Sequence, residues 1–318
     1  MVRFRAGFLI NSLFLKKSNK MAKARIIVDR VIARMMRSLT IISVLLMFLI
    51  GLGLLLKALP ILKEHSVFHM LSSEIWRPFK GEFGFLPYIM GTLWVSLIAI
   101  AISFPLCVLS SIYFFEYAPQ KLKQFILPLI DLLAGIPPVV YGVWGVLTIV
   151  PLISEHLAPH FVEYSSGYSV LAGGVVLAVM IFPLVMSLLG EVFSSISTEL
   201  RDASLSVGAT KWQTTKLVLM RKALPGIMAA LILAISRALG ETIAVLMVCG
   251  NIAVIPHSIF DSGYPLPALI ANNYGEMLSI PMYDSALMLA ALILFLIIVI
   301  FNVSSRFVST QLEKYFKL

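Results

Sequence analysis

Charge is scarce in this 318-residue chain. Asp, Glu, Lys and Arg together make up 13% of it, against about 25% in soluble domains, which excludes an ordinary water-soluble globule. Cysteine is scarcer still. Cys107 and Cys249 cannot build a disulfide framework or a metal set; they fall in separate apolar runs, so free buried thiols are expected. The five histidines, His65, His69, His156, His160 and His257, all lie outside those runs. An intramembrane enzyme needs a nucleophile and a base at one depth, and no histidine is placed to serve. The i,i+4 pairs His65/His69 and His156/His160 lack a third ligand pattern, so solvated loop histidines are expected rather than a metal site. There is no G-x-x-x-x-G-K-[ST] sequence, the loop that cradles nucleotide phosphates, so ATP chemistry would have to come from another chain. The apolar patch Ala6–Leu15 has no small-residue cleavage site behind it and is read as interfacial, not as a signal peptide; Met1 or Met21 could be the start.

What the chain has in abundance is apolar length. Apolar residues make up 59% and mean hydropathy is +0.96. Six runs are long enough to cross a ~30 Å hydrocarbon layer as helices, near 39–59, 89–113, 126–153, 169–190, 224–249 and 285–305. The expected fold class is therefore an all-α integral membrane protein of about six transmembrane helices. Pro105, Pro128, Pro137, Pro138 and Pro183 interrupt these runs and free carbonyls that need partners in a packed bundle. Basic residues are partitioned. Twenty of the 25 Lys and Arg fall in 1–38, in the second and fourth loops and in the tail, which by the positive-inside rule puts both termini in the cytoplasm. The net charge of +9 then reflects orientation and attraction to anionic lipid, not nucleic-acid binding. The resulting division is a basic segment 1–38, a transmembrane region 39–307 containing a long loop 191–223, and a tail 308–318.

Two features carry chemistry. The first is Arg237 and Glu241, four residues apart inside the fifth run. A charge at membrane depth costs about 2.5–3.5 kcal/mol on insertion scales, so such residues normally face protein or a polar path. On a continuous helix the two side chains can meet, and they share a face with Gly226, Ala230, Ala234 and Ala244, which suggests a close helix–helix seam. Either the pair lines a substrate path or it is a packing ion pair. Asp131 is the other acid inside a predicted span. The second feature is the loop 191–223. A helix over 195–207 would end at Gly208, and Thr210 with Gln213 fits a capping box that opens a second helix. The outer loops hold Trp76, Phe79, Phe83 and Phe85, aromatics expected at a membrane interface, and Leu266–Ala271, an expected interfacial or re-entrant segment.

Asp202-Ala203-Ser204, then Gly208, then Val218, resembles the EAA loop of ABC-importer permeases, with Asp202 for the usual glutamate, Ser204 for the second alanine and Arg221 at the usual proline position. Ala134-Gly135-Ile136-Pro137-Pro138-Val139-Val140-Tyr141-Gly142, Arg237-Ala238-Leu239-Gly240-Glu241-Thr242 and Glu116-Tyr117-Ala118-Pro119 resemble stretches of phosphate-importer permeases. Together these motifs cover most of 88–305, and Val140–Gly145 tips the resemblance to the PstC-type family over the PstA-type sister. Permeases for sulfate, molybdate or phosphonate remain alternatives. The resemblance implies a type I ABC-importer permease fold in a bacterial inner membrane, moving inorganic phosphate by alternating access. It implies a PstA-like permease partner, two PstB-like ATPases that use ATP-Mg, and a PstS-like binding protein, with no cofactor on this chain. It assigns ATPase coupling to Asp202, Ala203, Ser204, Gly208 and Ala209; Arg237, Glu241, Thr242 and Tyr141 are the candidates for the substrate path on their chemistry, with an ion pair for packing or a structural kink at Tyr141 as the alternatives.

Overall fold

A computed structural model describes the backbone of residues 2–276 and 280–315, and the side chains of 29–276, 280–307 and 310–311. Most of the expected basic segment 1–38 and of the tail 308–318 therefore lies outside the described side chains. The chain divides into two units, 1–56 and 57–318. The first is most of one helix, α1 (Val2–Glu64). Its stretch Asp29–Glu64 contains an 18-residue window with a mean hydropathy of 2.8 and is long and apolar enough to cross a membrane.

The second unit opens with α2 (Val67–Ser72) and a two-stranded antiparallel hairpin, β1 (Trp76–Arg77) and β2 (Glu82–Phe83). Trp76 pairs with Phe83 and Arg77 with Glu82. Gly81, at φ +74°, makes the turn, a conformation glycine adopts without steric cost. The hairpin was not expected, and it redirects the loop aromatics. Phe83 and Phe85 are buried and sit edge-on to Trp76 at 5.5 Å each. Tyr88 joins at 5.1 Å and Tyr283 at 6.3 Å. These rings form an internal cluster rather than a membrane-interface belt; Phe79 remains 82% exposed.

The helices continue with α3 (Leu86–Ile112), extended by a π-helical turn Tyr113–Tyr117, then α4 (Gln120–Ala134) and α5 (Pro138–Trp144). Beyond α5 lie a π turn, α6 (Val150–Leu152) and a second π turn ending at Leu157. Next come α7 (Val170–Ser194), α8 (Thr198–Ser206) and α9 (Lys211–Gln213), which runs through a π turn into α10 (Met220–Gly240). Last are α11 (Ile243–Val248), α12 (Leu266–Asn273) and α13 (Tyr283–Tyr315). Among the described residues, six stretches can span a membrane by length and composition; after Asp29–Glu64 they are Leu86–Tyr117, Pro138–His160, Val170–Ser194, Lys211–Gly240 and Tyr283–Phe307.

The break expected in the third run is present: α4 ends at Ala134 and α5 begins at Pro138. The correction is to the span, which lies at Pro138–His160 rather than 126–153. Pro137 has no N–H to give to the carbonyl of Leu133. The Tyr141 hydroxyl donates to that carbonyl instead, at 2.8 Å, and stabilises the corner. Asp131, expected inside a span, lies exposed on α4.

The centre of the unit is the crossing of α3 and α7, the most extensive helix contact in the chain. Gly173 and Gly174 make it possible. A Cβ on Gly173 would overlap the Cys249 sulfur, and one on Gly174 would overlap Ile98. Small residues let helix backbones approach in just this way. Cys107 and Cys249 are both free and buried. The segment Leu266–Ala271 is packed into the bundle. Leu266, Ala268 and Leu269 are fully buried, α12 packs on α3 and α13, and the Leu266 N–H donates to Thr92 Oγ1 at 2.8 Å.

Candidate functional site: an interrupted span and a hairpin

The fifth span does not run to residue 249. α10 stops at Gly240, Glu241 is extended (φ −75°, ψ 131°) and α11 starts at Ile243. Its first backbone bond is Leu246 N–H to the Thr242 carbonyl, 2.9 Å. Gly240 is a weak helix former and supplies the stop. The consequence is a second correction: Arg237 and Glu241 are four residues apart in sequence but not on one helix, and they form no ion pair. Arg237 is exposed and Glu241 and Thr242 are half-buried. A cation at span depth, without a salt bridge among the described residues, thus stands on an uncovered edge of α10 beside a break in the backbone.

The small-residue face is also differently employed. Ala230, Ala234 and Ala244 are buried within this chain, and Gly226 lies against Val192 of α7. The tight seam is internal, and Arg237 sits at its rim. Next to the break, α5 packs along α11 through Gly142, which touches Ala244 and Met247. Val139, Val140, Val143 and Ile243 remain exposed on these helices. Tyr141 is buried, and its hydroxyl is engaged by Leu133, so it shapes the corner rather than offering a donor to the surface. A polar contact that the sequence did not single out crosses from α10 to α13: the Ser236 hydroxyl donates to Asn302 Oδ1 at 2.9 Å. A serine and an asparagine inside apolar runs were the available signal.

The loop 191–223 folds as a hairpin. Its first helix starts at Thr198, not Ser195, because α7 continues to Ser194 and the chain turns over 195–197. The capping box is present in full: Thr210 accepts from the Gln213 N–H, and the Gln213 side chain accepts from the Thr210 N–H. Gly208 has φ +87°, and the Ser204 and Thr214 hydroxyls lie 3.0 Å apart. Asp202, Ala203 and Gly208 are exposed, while Ser204 and Ala209 are half-buried. Val207 (82%) and Trp212 (59%) are exposed at the tip.

Nothing lies within 4 Å of a Cβ built on Gly208, so a substitution there meets backbone strain alone, about 1–2 kcal/mol for an L residue in the left-handed region. Gly208→Val is expected to raise amide exchange across 204–213 about tenfold, since ~1.4 kcal/mol corresponds to that factor. Hydrogen-exchange mass spectrometry reads it directly. Unchanged exchange would mean that the turn tolerates the side chain.

The sequence missed the tie between this hairpin and the bundle. Arg201 on α8 pairs with Glu116 at the end of α3: Nη2 to Oε1 is 2.7 Å and Nε to Oε2 is 3.2 Å. The same guanidinium donates to the Phe193 carbonyl at 3.1 Å and the Ile196 carbonyl at 3.2 Å. This is the ion pair among the described residues, and its partners are 85 positions apart. A cleft of about 160 Å³ opens beside it, lined by Asp202, Lys211 and Thr214 among others.

The family described as binding-protein-dependent transport system inner membrane component matches residues 108–314. A phosphate transport system permease protein PstC of Xylella fastidiosa is 32% identical over 267 residues, 80% of this chain and 82% of that protein. Its namesake in Mesorhizobium japonicum is 33% identical over 260 residues, 77% and 79% of the two chains. Among solved structures, an inward-facing MetNI methionine ABC transporter covers 70% of this chain and 91% of its own at 20% identity, with a TM-score of 0.51. A bacterial alginate ABC transporter covers 74% and 85% at 16% identity, with a TM-score of 0.52. These two likenesses place the fold among ABC-importer permeases.

Proposed function

The chain belongs to the binding-protein-dependent transport system inner membrane components, and on that premise we propose that it is the permease subunit of an ATP-driven importer of inorganic phosphate. The observation that carries this reading is the alignment with phosphate permeases over about four-fifths of the chain. The C-type name of those relatives supports a PstC-type subunit over the PstA-type sister. The partners are then a PstA-like permease, two PstB-like ATPases consuming ATP-Mg and a PstS-like phosphate-binding protein. The membrane is the bacterial inner membrane, with both termini and the α8–α9 hairpin in the cytoplasm, as the distribution of Lys and Arg supports.

In this reading the hairpin docks on the ATPase. Asp202, Ala203, Ser204, Gly208 and Ala209 set its shape, and exposed Val207 and Trp212 supply apolar contact. Nucleotide-driven closure moves the hairpins, and the spans alternate between facing inward and outward. Arg237, on the uncovered edge of α10, faces the partner permease across the substrate path. Its planar, paired donors suit a phosphate oxyanion. A single guanidinium gives a contact from which the ion can leave. Glu241 and Thr242 sit at the break, and Glu241 meets Arg237 only in a different conformation from this one, between turnovers.

The test is reconstitution of the four-component complex in lipid vesicles, with uptake of labelled phosphate followed against excess sulfate, molybdate or phosphonate. Uptake is expected to need ATP and to resist these competitors. Uptake without ATP, or displacement of phosphate by another oxyanion, would overturn the assignment.

A further inference from the structure

The hairpin is internally rigid: a complete capping box, a left-handed glycine turn and the Ser204–Thr214 hydroxyl bond hold α8 against the turn before α10. α9 runs on into α10, but the hold of α8 on the rest of the bundle is much narrower. Among the described residues, Arg201 makes the only side-chain hydrogen bonds from α8 to the ends of α3 and α7, with Leu200 packing beside it against the core. Those two ends are already one body. Phe115 stacks on Phe193 at 6.5 Å with 13° between the rings, Gly190 leaves room for the Phe115 ring, and Phe193 is fully buried. Arg201 takes hold of both. The carboxylate of Glu116 belongs to the π turn that closes α3, and the two carbonyls belong to the last turn of α7 and the bend that follows it, where the Phe193 carbonyl otherwise accepts a long 3.4 Å bond from the Ile196 N–H.

We propose that Arg201 is a positioning residue for transport: it locks the hairpin to α3 and α7 so that displacement of the hairpin tip becomes displacement of these two spans. A guanidinium fork bound to a carboxylate and two carbonyls resists rotation as well as separation, which a single ammonium contact would not. The pair is partly shielded, with side-chain exposures of 23% for Arg201 and 9% for Glu116, so water competes with it less than at an open surface. The inference rests on the importer reading above.

The experiment compares wild type with Glu116→Ala and Glu116→Gln in the assembled four-component complex in vesicles, recording phosphate uptake and ATP hydrolysis on the same sample. Glu116→Ala leaves the carbonyl contacts of Arg201 in place and removes only the hold on α3. The ratio of phosphate moved to ATP hydrolysed is expected to fall about tenfold, as loss of one charge-assisted hydrogen-bonded pair would allow, while hydrolysis continues. The isosteric Glu116→Gln keeps an acceptor for one arm of the fork and should fall between. It carries the test alone if the alanine variant does not assemble. An unchanged ratio, or equal loss of both activities in complexes of normal yield, overturns the inference. A wild-type complex that moves no phosphate would instead overturn the importer reading.

Discussion

Arg237→Glu is expected to lower ATP-driven phosphate uptake by at least about 100-fold while leaving the yield of assembled complex unchanged. Assembly should survive because Arg237 is exposed and holds no salt bridge within the described chain. Transport should not, because the substitution replaces attraction for an anion by repulsion. At ~4 Å and an effective dielectric near 20, one unit charge contributes about 4 kcal/mol. Screening by water and partner groups reduces that, and ~2.7 kcal/mol is enough for two decades. Arg237→Lys keeps the charge but loses the planar fork, so a loss of about tenfold is expected. Glu241→Gln should act more weakly, since the pair is open in this conformation. The measurement is initial uptake in vesicles at matched complex content. Normal rates for both Arg237→Lys and Glu241→Gln would remove the pair from the substrate path.

Gly174→Val should have the largest effect on stability. The Cβ alone collides with Ile98, and the Ala99 backbone nitrogen is only 3.5 Å away. Overpacking of a filled core typically costs about 1–3 kcal/mol, and a branched side chain where α7 meets Ile98 and the Ala99 backbone of α3 belongs at or beyond the upper end. The expected outcome is loss of most monodisperse protein after detergent extraction, with a lower unfolding midpoint for what remains. The double variant Gly174→Ala/Ile98→Ala should recover most of the loss seen in Gly174→Ala alone, because residues in contact couple strongly. Alanine is the better helix former at this position, so no recovery would mean that the damage does not come from the collision with Ile98.

Much of this architecture was legible in the sequence, for definable reasons. Long apolar runs fix where spans lie, and four of the six fell where hydropathy put them, while the third and fifth are displaced along the chain. The hairpin was legible because Thr210, Gln213 and Gly208 act through bonds to their own neighbours. The interruption at Gly240–Thr242 was not. It contains no proline and sits inside an apolar run, so the pattern reads as a continuous helix, and the expected Arg237–Glu241 contact followed from that continuity. The four π turns escape any periodicity of 3.6. The Arg201–Glu116 pair escapes for a different reason. Each residue looks like a charge at a span end, and only the packing of α3 beside α7 brings them together. The aromatic loop was misread because alternation over two-residue strands is too short to register.

The ring cluster around Trp76 has a practical use. Its indole belongs to the small hairpin near the start of the second unit, yet it touches Tyr88 at the beginning of α3 and Tyr283 at the beginning of α13, residues 195 positions apart in sequence (283 − 88). Energy absorbed by either phenol passes to a nearby indole with an efficiency that falls steeply with separation. In the isolated chain with Trp94, Trp144 and Trp212 replaced by phenylalanine, a fall in that transfer would report the second and last spans parting well beyond contact, without an attached dye.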